Sequence, residues 1–98
     1  MRTVQIRTYT VLAGRLDEWV ELWRTRIVPL RLEFGFQIPN SWVDRERNAH
    51  IWVISYDGEM SFAEANAAYW ASPKRDALGV DPAEFLVGEQ TCEVEPVL

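Results

Sequence analysis

Cysteine and histidine are almost absent from this sequence, which contains one of each, Cys92 and His50, among its 98 residues. A single cysteine excludes a disulfide within the chain, and we expect Cys92 to pack as a small, buried apolar residue. One histidine and one cysteine provide none of the spacings that zinc ligands show, so the sequence predicts no metal site. A haem would have only His50 as a histidine ligand, and we expect no cofactor.

Long apolar runs and an excess of basic residues are also missing. No run of about 18 apolar residues occurs and no signal-peptide core follows Met1, so we expect a cytoplasmic protein without a membrane span. Lys and Arg number 10 and Asp and Glu 15, for a formal net charge of −5. This balance argues against nucleic acids and membranes as partners, because anionic surfaces are bound through basic residues. The sequence contains no phosphate-binding loop, dinucleotide fingerprint or nucleophile elbow.

Aromatic residues, in contrast, are abundant, with 5 Trp, 3 Tyr and 4 Phe. A chain of this length forms one small domain, predicted over residues 1–98, and small domains bury a limited fraction of their surface. So many large rings indicate more burial than one chain supplies.

The hydrophobic pattern predicts four strands and two main helices. The strands are predicted at residues 3–10, 36–45, 50–56 and 89–95, and the helices at residues 16–34 and 62–70. Pro29 predicts a kink or restart of the first helix, with residues 28–31 departing from α-geometry. Arg31, late in that helix, suits the helix dipole. Pro39 predicts that the second strand is an edge strand or carries a bulge.

This order of elements predicts the ferredoxin-like βαββαβ fold of the α+β class, a four-stranded antiparallel sheet with both helices on one face. The third predicted strand is apolar on both of its faces, with Ile51 and Val53 on one side and Trp52, Ile54 and Tyr56 on the other. The helices of the chain cover one face only. We therefore expect a second copy to cover the other face, in a homodimer of the dimeric α+β barrel type.

Several short blocks along the chain form a recognisable pattern. They are residues 6–10 (IRTYT), 14–18 (GRLDE), 27–31 (IVPLR), 51–57 (IWVISYD) and 69–73 (YWASP), with Trp23, Gly35, Phe36, Trp42 and Phe62 between them. This pattern resembles that of NIPSNAP-family domains, which belong to the dimeric α+β barrel superfamily. The resemblance implies the fold and the homodimer. It implies no particular reaction, because NIPSNAP domains have no agreed activity or catalytic residues.

Wider relatives of that superfamily are cofactor-independent monooxygenases acting on aromatic polyketides, haem-dependent enzymes and binding modules. Similarity of fold at that breadth does not assign a function.

Four residues form the strongest candidate cluster for chemistry, namely His50, Arg7, Tyr9 and Trp52. Strand parity allows all four to share one side of the sheet. Arg7 could hold a developing oxyanion while His50 moves a proton, because histidine changes charge near neutral pH. We therefore name His50, Arg7 and Tyr9 as candidate catalytic residues. The alternative for His50 is a structural histidine that is exposed at the start of its strand or caps a neighbour.

Arg7 also has a structural alternative. The first strand lies centrally in the predicted sheet, and a buried charge must be paired to avoid a large desolvation cost. Glu93 and Glu95 have the matching parity on the last strand, so either could pair with Arg7 inside a dimer interface.

The tryptophans indicate either a ligand cavity or ordinary core packing. Trp19, Trp23, Trp52 and Trp70 could line an apolar cavity between helices and sheet, where their N–H groups would find polar partners. We name Trp52, Tyr56 and Trp23 as candidate ligand-binding residues. The predicted function is binding of a small apolar or aromatic molecule in a pocket of the barrel. The alternative is a cofactor-independent enzyme of the monooxygenase or isomerase type that acts on an aromatic substrate.

Overall fold

A computed structural model describes residues 2–98, and these residues form five strands and four α-helices. The strands are Thr3–Val11 (β1), Phe36–Gln37 (β2), Ser41–Asp44 (β3), Ala49–Tyr56 (β4) and Leu86–Val94 (β5). The α-helices are Leu16–Leu22 (α1), Val28–Glu33 (α2), Phe62–Ala71 (α3) and Pro73–Asp76 (α4), and a 3₁₀ turn covers Pro82–Glu84. Within residues 2–98 no helix combines the length and the hydropathy that crossing a membrane requires.

The sheet is antiparallel, and β1 lies at its centre between β4 and β5, as predicted. The second predicted strand is split into β2 and β3, which both pair with β4. The split falls at Pro39, which has no N–H for the ladder. The amide of Val53 instead donates to the carbonyl of Asn40 at 3.1 Å. The sheet therefore has five strands where four were predicted, and the α+β fold with helices on one face is confirmed.

The irregular segment of the first helix lies one turn earlier than Pro29 predicted. The helix runs without a break from α1 through a π-helical segment, Trp23–Ile27, into α2, and Pro29 lies in the first turn of α2. The amide of Val28 donates to the carbonyl of Trp23, five residues earlier. Because proline lacks an N–H and crowds the preceding turn, the hydrogen-bond pattern shifts there. The predicted departure at residues 28–31 is wrong, and the departure lies at Trp23–Ile27, which faces the cavity described below.

Helix α3 begins at a capping box. The Ser61 hydroxyl accepts a hydrogen bond from the Glu64 amide at 3.1 Å, and the Glu64 carboxylate accepts one from the Ser61 amide at 3.2 Å. The serine therefore satisfies one of the free N–H groups at the helix start. This helix supplies Tyr69 to the core.

Ser61→Ala should lower the free energy of unfolding by about 1 kcal/mol, because the helix loses its cap. Urea denaturation monitored by circular dichroism measures the change. Glu59→Ala, at an exposed position just before the helix, is the control and should stay within roughly 0.5 kcal/mol of the parent. Equal losses for the two variants would show that the cap contributes nothing.

The two faces of the sheet differ in what covers them. On the covered face, Trp52, Ile54 and Tyr56 pack in the main core with residues of the helices. The other side, here called the open face, carries Ile51 and Val53, which are only partly buried in the single chain.

The open face continues across the neighbouring strands with apolar side chains. Ile6 and Cys92 pair across β1 and β5, and Ile6 also pairs with Val53. On β3, Trp42 pairs with Ile51 and is 50% exposed. Cys92 is exposed, so the prediction that it packs as a buried residue is wrong for the single chain.

Candidate functional site

A small cavity of about 20 Å³, here called the deep cavity, lies between the helices and the covered face of the sheet, and it has room for about one water molecule. Its wall is mainly aromatic and contains two arginines. The lining residues include Tyr9 and Trp52 from the sheet, Trp23 and Arg31 from the first helical segment, and Tyr69 and Arg75 from α3 and α4. A wider cleft of about 410 Å³, open to solvent, shares Tyr9, Trp70 and Pro82 with it and adds Arg7 and Asn66.

Six buried side-chain polar atoms find no hydrogen-bond partner in residues 2–98, and all six can donate. They are Nε1 of Trp23 and Trp52, Nε of Arg31 and Arg75, Nε2 of His50 and the hydroxyl of Tyr69. Five of these atoms belong to residues that line the deep cavity. A buried donor without a partner costs about 1–3 kcal/mol, and native proteins contain few of them. Their concentration around one cavity gives its wall a set of donors that water or a ligand can satisfy.

Arg31 is the most deeply buried cation of the site, with 1% of its surface exposed. Its Nη1 donates to Oδ1 of Asn66 at 2.8 Å, and its Cζ lies 3.8 Å from the ring centroid of Tyr69. Burial lowers the pKa of Arg31 to about 10, and the nearby cations Arg7 and Arg75 act in the same direction. The group therefore stays charged near neutral pH and has aromatic faces and an amide as neighbours.

Arg75 comes from the short helix α4 and is 4% exposed. Its Nη1 donates to the carbonyl of Val80 at 2.9 Å, and its Cζ lies 4.4 Å from the ring centroid of Trp70. Burial raises the pKa of Tyr69, and the Arg31 and Arg75 cations oppose that rise. Two guanidinium groups and a phenol thus meet at one end of the cavity.

Arg7 lies at the wide cleft and has no carboxylate partner in residues 2–98. It donates to Oε1 of Gln5 at 3.1 and 3.3 Å, and its Cζ lies 5.3 Å from the ring centroid of Trp52. The register places Thr91 opposite Arg7 and Glu93 opposite Gln5. The predicted pairing of Arg7 with Glu93 or Glu95 is therefore wrong.

His50 is completely buried, which overturns the alternative of an exposed histidine at the strand start. Its Nδ1 accepts a hydrogen bond from Nε1 of Trp19 at 3.1 Å, so the proton of the neutral ring is on Nε2. Burial lowers the pKa of His50 to about 4. The ring packs against Trp23, with centroids 4.4 Å apart, and stacks with Trp52.

This placement puts His50 behind the cavity wall, because Trp23 and Trp52 line the deep cavity while His50 does not. The catalytic role of His50 stays a prediction, and the structure restricts that role to one of the two ring nitrogens. Nδ1 is occupied by Trp19, so any proton transfer would have to use Nε2.

The other predicted site residues separate into two groups. Tyr9, Trp52 and Trp23 line the deep cavity, and Tyr9 also reaches the wide cleft. Burial raises the pKa of Tyr9, and the Arg7 cation opposes the rise. Tyr56 packs instead against Phe36, with centroids 5.3 Å apart, and lines neither space.

Sequence reasoning missed Arg31, Arg75 and Tyr69 as site residues. Arg31 carried a usable signal, because it follows Ile27 by four positions and Trp23 by eight, which places it on the apolar stripe of the helix. Its position near the helix end favoured the interpretation as a cation that compensates the dipole. Arg75 lies in a four-residue helix that is too short to show a periodic pattern.

Metal ligands do not cluster in the described part of the chain. Within residues 2–98 no group of three or more His, Cys, Asp or Glu side chains could hold an ion.

No protein-family profile and no curated protein sequence matches this chain. Solved structures do match. An uncharacterised NIPSNAP domain protein from Burkholderia xenovorans superposes with a TM-score of 0.82 at 18% identity, over 99% of this chain and 95% of that one. The fold is that of NIPSNAP domains.

Two further structures extend the comparison. A NIPSNAP family protein from Agrobacterium tumefaciens has a TM-score of 0.84 at 14% identity, covering 99% of this chain and 94% of that one. A protein from Bacteroides thetaiotaomicron, described as a candidate antibiotic biosynthesis monooxygenase, has a TM-score of 0.73 at 18% identity, covering 99% and 90%. At these identities the NIPSNAP likeness establishes the fold and leaves the activity to the site.

Proposed function

We propose that this protein binds a small apolar or aromatic molecule in the wide cleft, with a polar group of that molecule directed toward the donors of the deep cavity. The observation that carries the proposal is the set of five buried donors, without protein partners in residues 2–98, on residues that line the cavity. Residues 2–98 supply no hydrogen-bond partner for these five groups, so the groups are available to acceptors on water or on a ligand.

The shape and chemistry of the walls support an aromatic ligand. The rings of Trp23, Trp52 and Tyr9 form edge-to-face contacts with centroids 5.3–5.8 Å apart, which builds a rigid apolar surface. Ligand sites of proteins are commonly concave and apolar, with a few polar groups that set orientation. The buried donors on these walls are such groups.

We further propose that the protein works as a homodimer in the cytoplasm, with the open faces of two sheets packed together. Ile6, Ile51, Val53 and Trp42 give this face an apolar centre that no element of residues 2–98 covers. A stable interface of this kind buries about 2,000 Å² or more in total. The cavity lies on the opposite side of the sheet, so dimer contact and ligand binding are separable by experiment.

Titration with aromatic fragments, followed by ¹⁵N NMR of the Trp indole groups, tests the binding function. Four of the five tryptophans line the deep cavity, and Trp42 lies on the open face. We expect indole, used as a neutral aromatic probe, to shift the Nε1–H resonances of Trp23 and Trp52 and to leave that of Trp42 unchanged. Shifts confined to Trp42, or no saturable shift with any fragment used here or below, would contradict the proposal.

A cofactor-independent enzyme of the monooxygenase or isomerase type is the second candidate function. It is favoured by the position of Arg7 and Tyr9 at the wide cleft, where a cation and a phenol could stabilise a developing oxyanion. The same fold occurs in the Bacteroides protein described above.

Oxygen uptake in the presence of anthrone tests this second candidate. The methylene carbon of anthrone loses two hydrogens, gains one atom of O₂ as a carbonyl, and the other atom leaves as water. An enzyme should give uptake above a protein-free control, lowered at least tenfold in Arg7→Gln, which removes the cation. Uptake equal to the control would favour binding without turnover.

A further inference from the structure

We infer that the ligand of the deep cavity is an anion, a small molecule with an aromatic or apolar body and a carboxylate or similarly delocalised oxyanion held by Arg31 and Arg75. The inference rests on the proposed binding function and adds the chemical class of the ligand. It is carried by the donor set of the cavity and by the distribution of charge around it.

The unpartnered polar atoms of the cavity wall are nearly all restricted to donation. Guanidinium and indole nitrogens donate and do not accept, and only the Tyr69 hydroxyl can do both. A neutral alcohol or amide would bring donors of its own that find no acceptor here. A carboxylate is an acceptor only, and it matches the fork geometry of arginine.

The charge distribution also favours an anionic ligand. The chain as a whole has a formal charge of −5, yet Arg31 and Arg75 line the deep cavity and none of its lining residues is acidic. Elsewhere, Arg15, Arg24, Arg45, Arg47 and Lys74 each pair with a carboxylate near the surface. Arginines that could have been paired in this way are instead buried against aromatic rings.

Acidic residues lie at the openings of the site and not in the deep cavity, and Asp76, Asp81 and Glu84 line a second open cleft beside Arg75. Asp81 and Glu89 line the wide cleft, together with Arg7. Arg31 has cations and phenols as its electrostatic neighbours, and its nearest polar partner is the amide of Asn66. An anion entering with its oxygens first would therefore reach the charge of Arg31, which has no acidic neighbour in residues 2–98, and leave its apolar body against Tyr9 and Trp70.

Three fragments of similar size and different charge test the inference, namely benzoate, benzamide and benzylamine. Each is titrated into the ¹⁵N-labelled protein at about pH 7, where benzoate is anionic and benzylamine cationic. We expect benzoate to shift the Trp23 and Trp52 indole resonances with an affinity at least tenfold higher than benzamide, and benzylamine to bind more weakly still. Equal or tighter binding of benzamide or benzylamine would overturn the inference while the proposed binding function stands.

Arginine variants locate the anion. Arg31→Met keeps a long apolar side chain in the core and should reduce benzoate affinity to that of benzamide, with benzamide affinity unchanged within about twofold. Arg75→Met should act in the same direction and provides the second test if the first variant does not fold. Arg24→Met is the control, because Arg24 lies exposed on the same helical segment and pairs with Glu21. Benzoate affinity that survives both cavity variants would show that the anion binds elsewhere, and failure of every fragment to bind the parent would remove the binding function as well.

Discussion

Val53→Glu should produce a monomer with the chain mass of 11.4 kDa where the parent protein sediments at about twice that mass. Val53 lies on β4, paired with Ile6 of the central strand, so its side chain is at the middle of the open face. In the proposed dimer, two-fold symmetry would bring two buried carboxylates close to each other without a cation to pair them. Burial of an unpaired charge costs several kcal/mol, which weakens association by roughly 100-fold or more.

Analytical ultracentrifugation at micromolar concentration measures this change. Ala67→Glu is the matched control, because it adds the same charge at an exposed position of α3 in the helix layer. We expect the control to remain dimeric. A parent protein that sediments as a monomer, or a Val53→Glu variant that remains a dimer, would contradict the proposed interface.

The free energy of unfolding should fall steeply as the pH decreases from about 6.5 to about 4, because His50 must stay neutral in the folded protein. Burial lowers the pKa of His50 from 6.5 to about 4. Between these two values the unfolded chain binds a proton that the folded chain does not, so acid favours unfolding. The full contribution is present above pH 6.5, and it decreases by roughly 3 kcal/mol by the time the pH reaches the folded pKa.

His50→Asn is the variant that isolates this effect. Asparagine does not titrate, and its Oδ1 lies near the position of the histidine Nδ1, where it can accept the hydrogen bond from Trp19. Glu18, Asp44 and Glu64 also have lowered pKa values and act in the same direction at lower pH, so both proteins share their contribution. Urea denaturation at one protein concentration across the pH range should show a shallower slope for the variant. Parallel slopes would mean that His50 takes up a proton in the folded state without cost.

The fold followed from the sequence because its signals are local and agree with one another. Alternation in the strands, the capping box at Ser61 and the turns at glycine each specify one element, and their order specifies the topology. The two errors in the predicted strands and helices both involve proline. Pro39 split one strand into two, and Pro29 moved the helix irregularity into the preceding turn, since the position at which a helix absorbs a missing hydrogen bond depends on packing.

The site followed from the sequence only in part. The alternation of side chains along the strands predicted that Tyr9 and Trp52 share one side of the sheet. The helical spacing of apolar residues predicted that Trp23 packs against that side. Whether the space between them is filled depends on side-chain packing, which no pattern specifies. The same limit applies to His50, because strand parity placed it on the correct face but could not show that Trp19 holds its Nδ1 and that Trp23 covers its ring.

The buried arginines also explain why this cavity differs from an ordinary core. A core selected for stability alone would replace Arg31 with an apolar side chain of similar length, because burial of an uncompensated charge is costly. Arg31 and Arg75 beside Tyr69 place positive charge inside an acidic protein, and we expect this burial of charge to cost stability. Loss of stability at one place in exchange for a prepared site is typical of functional regions.

Crystals grown with 4-bromobenzoate test the central claim most directly, because anomalous scattering locates bromine without ambiguity. We expect one bromine position in the wide cleft beside Trp70 and the carboxylate at the deep cavity, with oxygens about 3 Å from guanidinium nitrogens of Arg31 or Arg75. Bromine found only on the outer surface or on the open face, with the cavity filled by side chains, would contradict it.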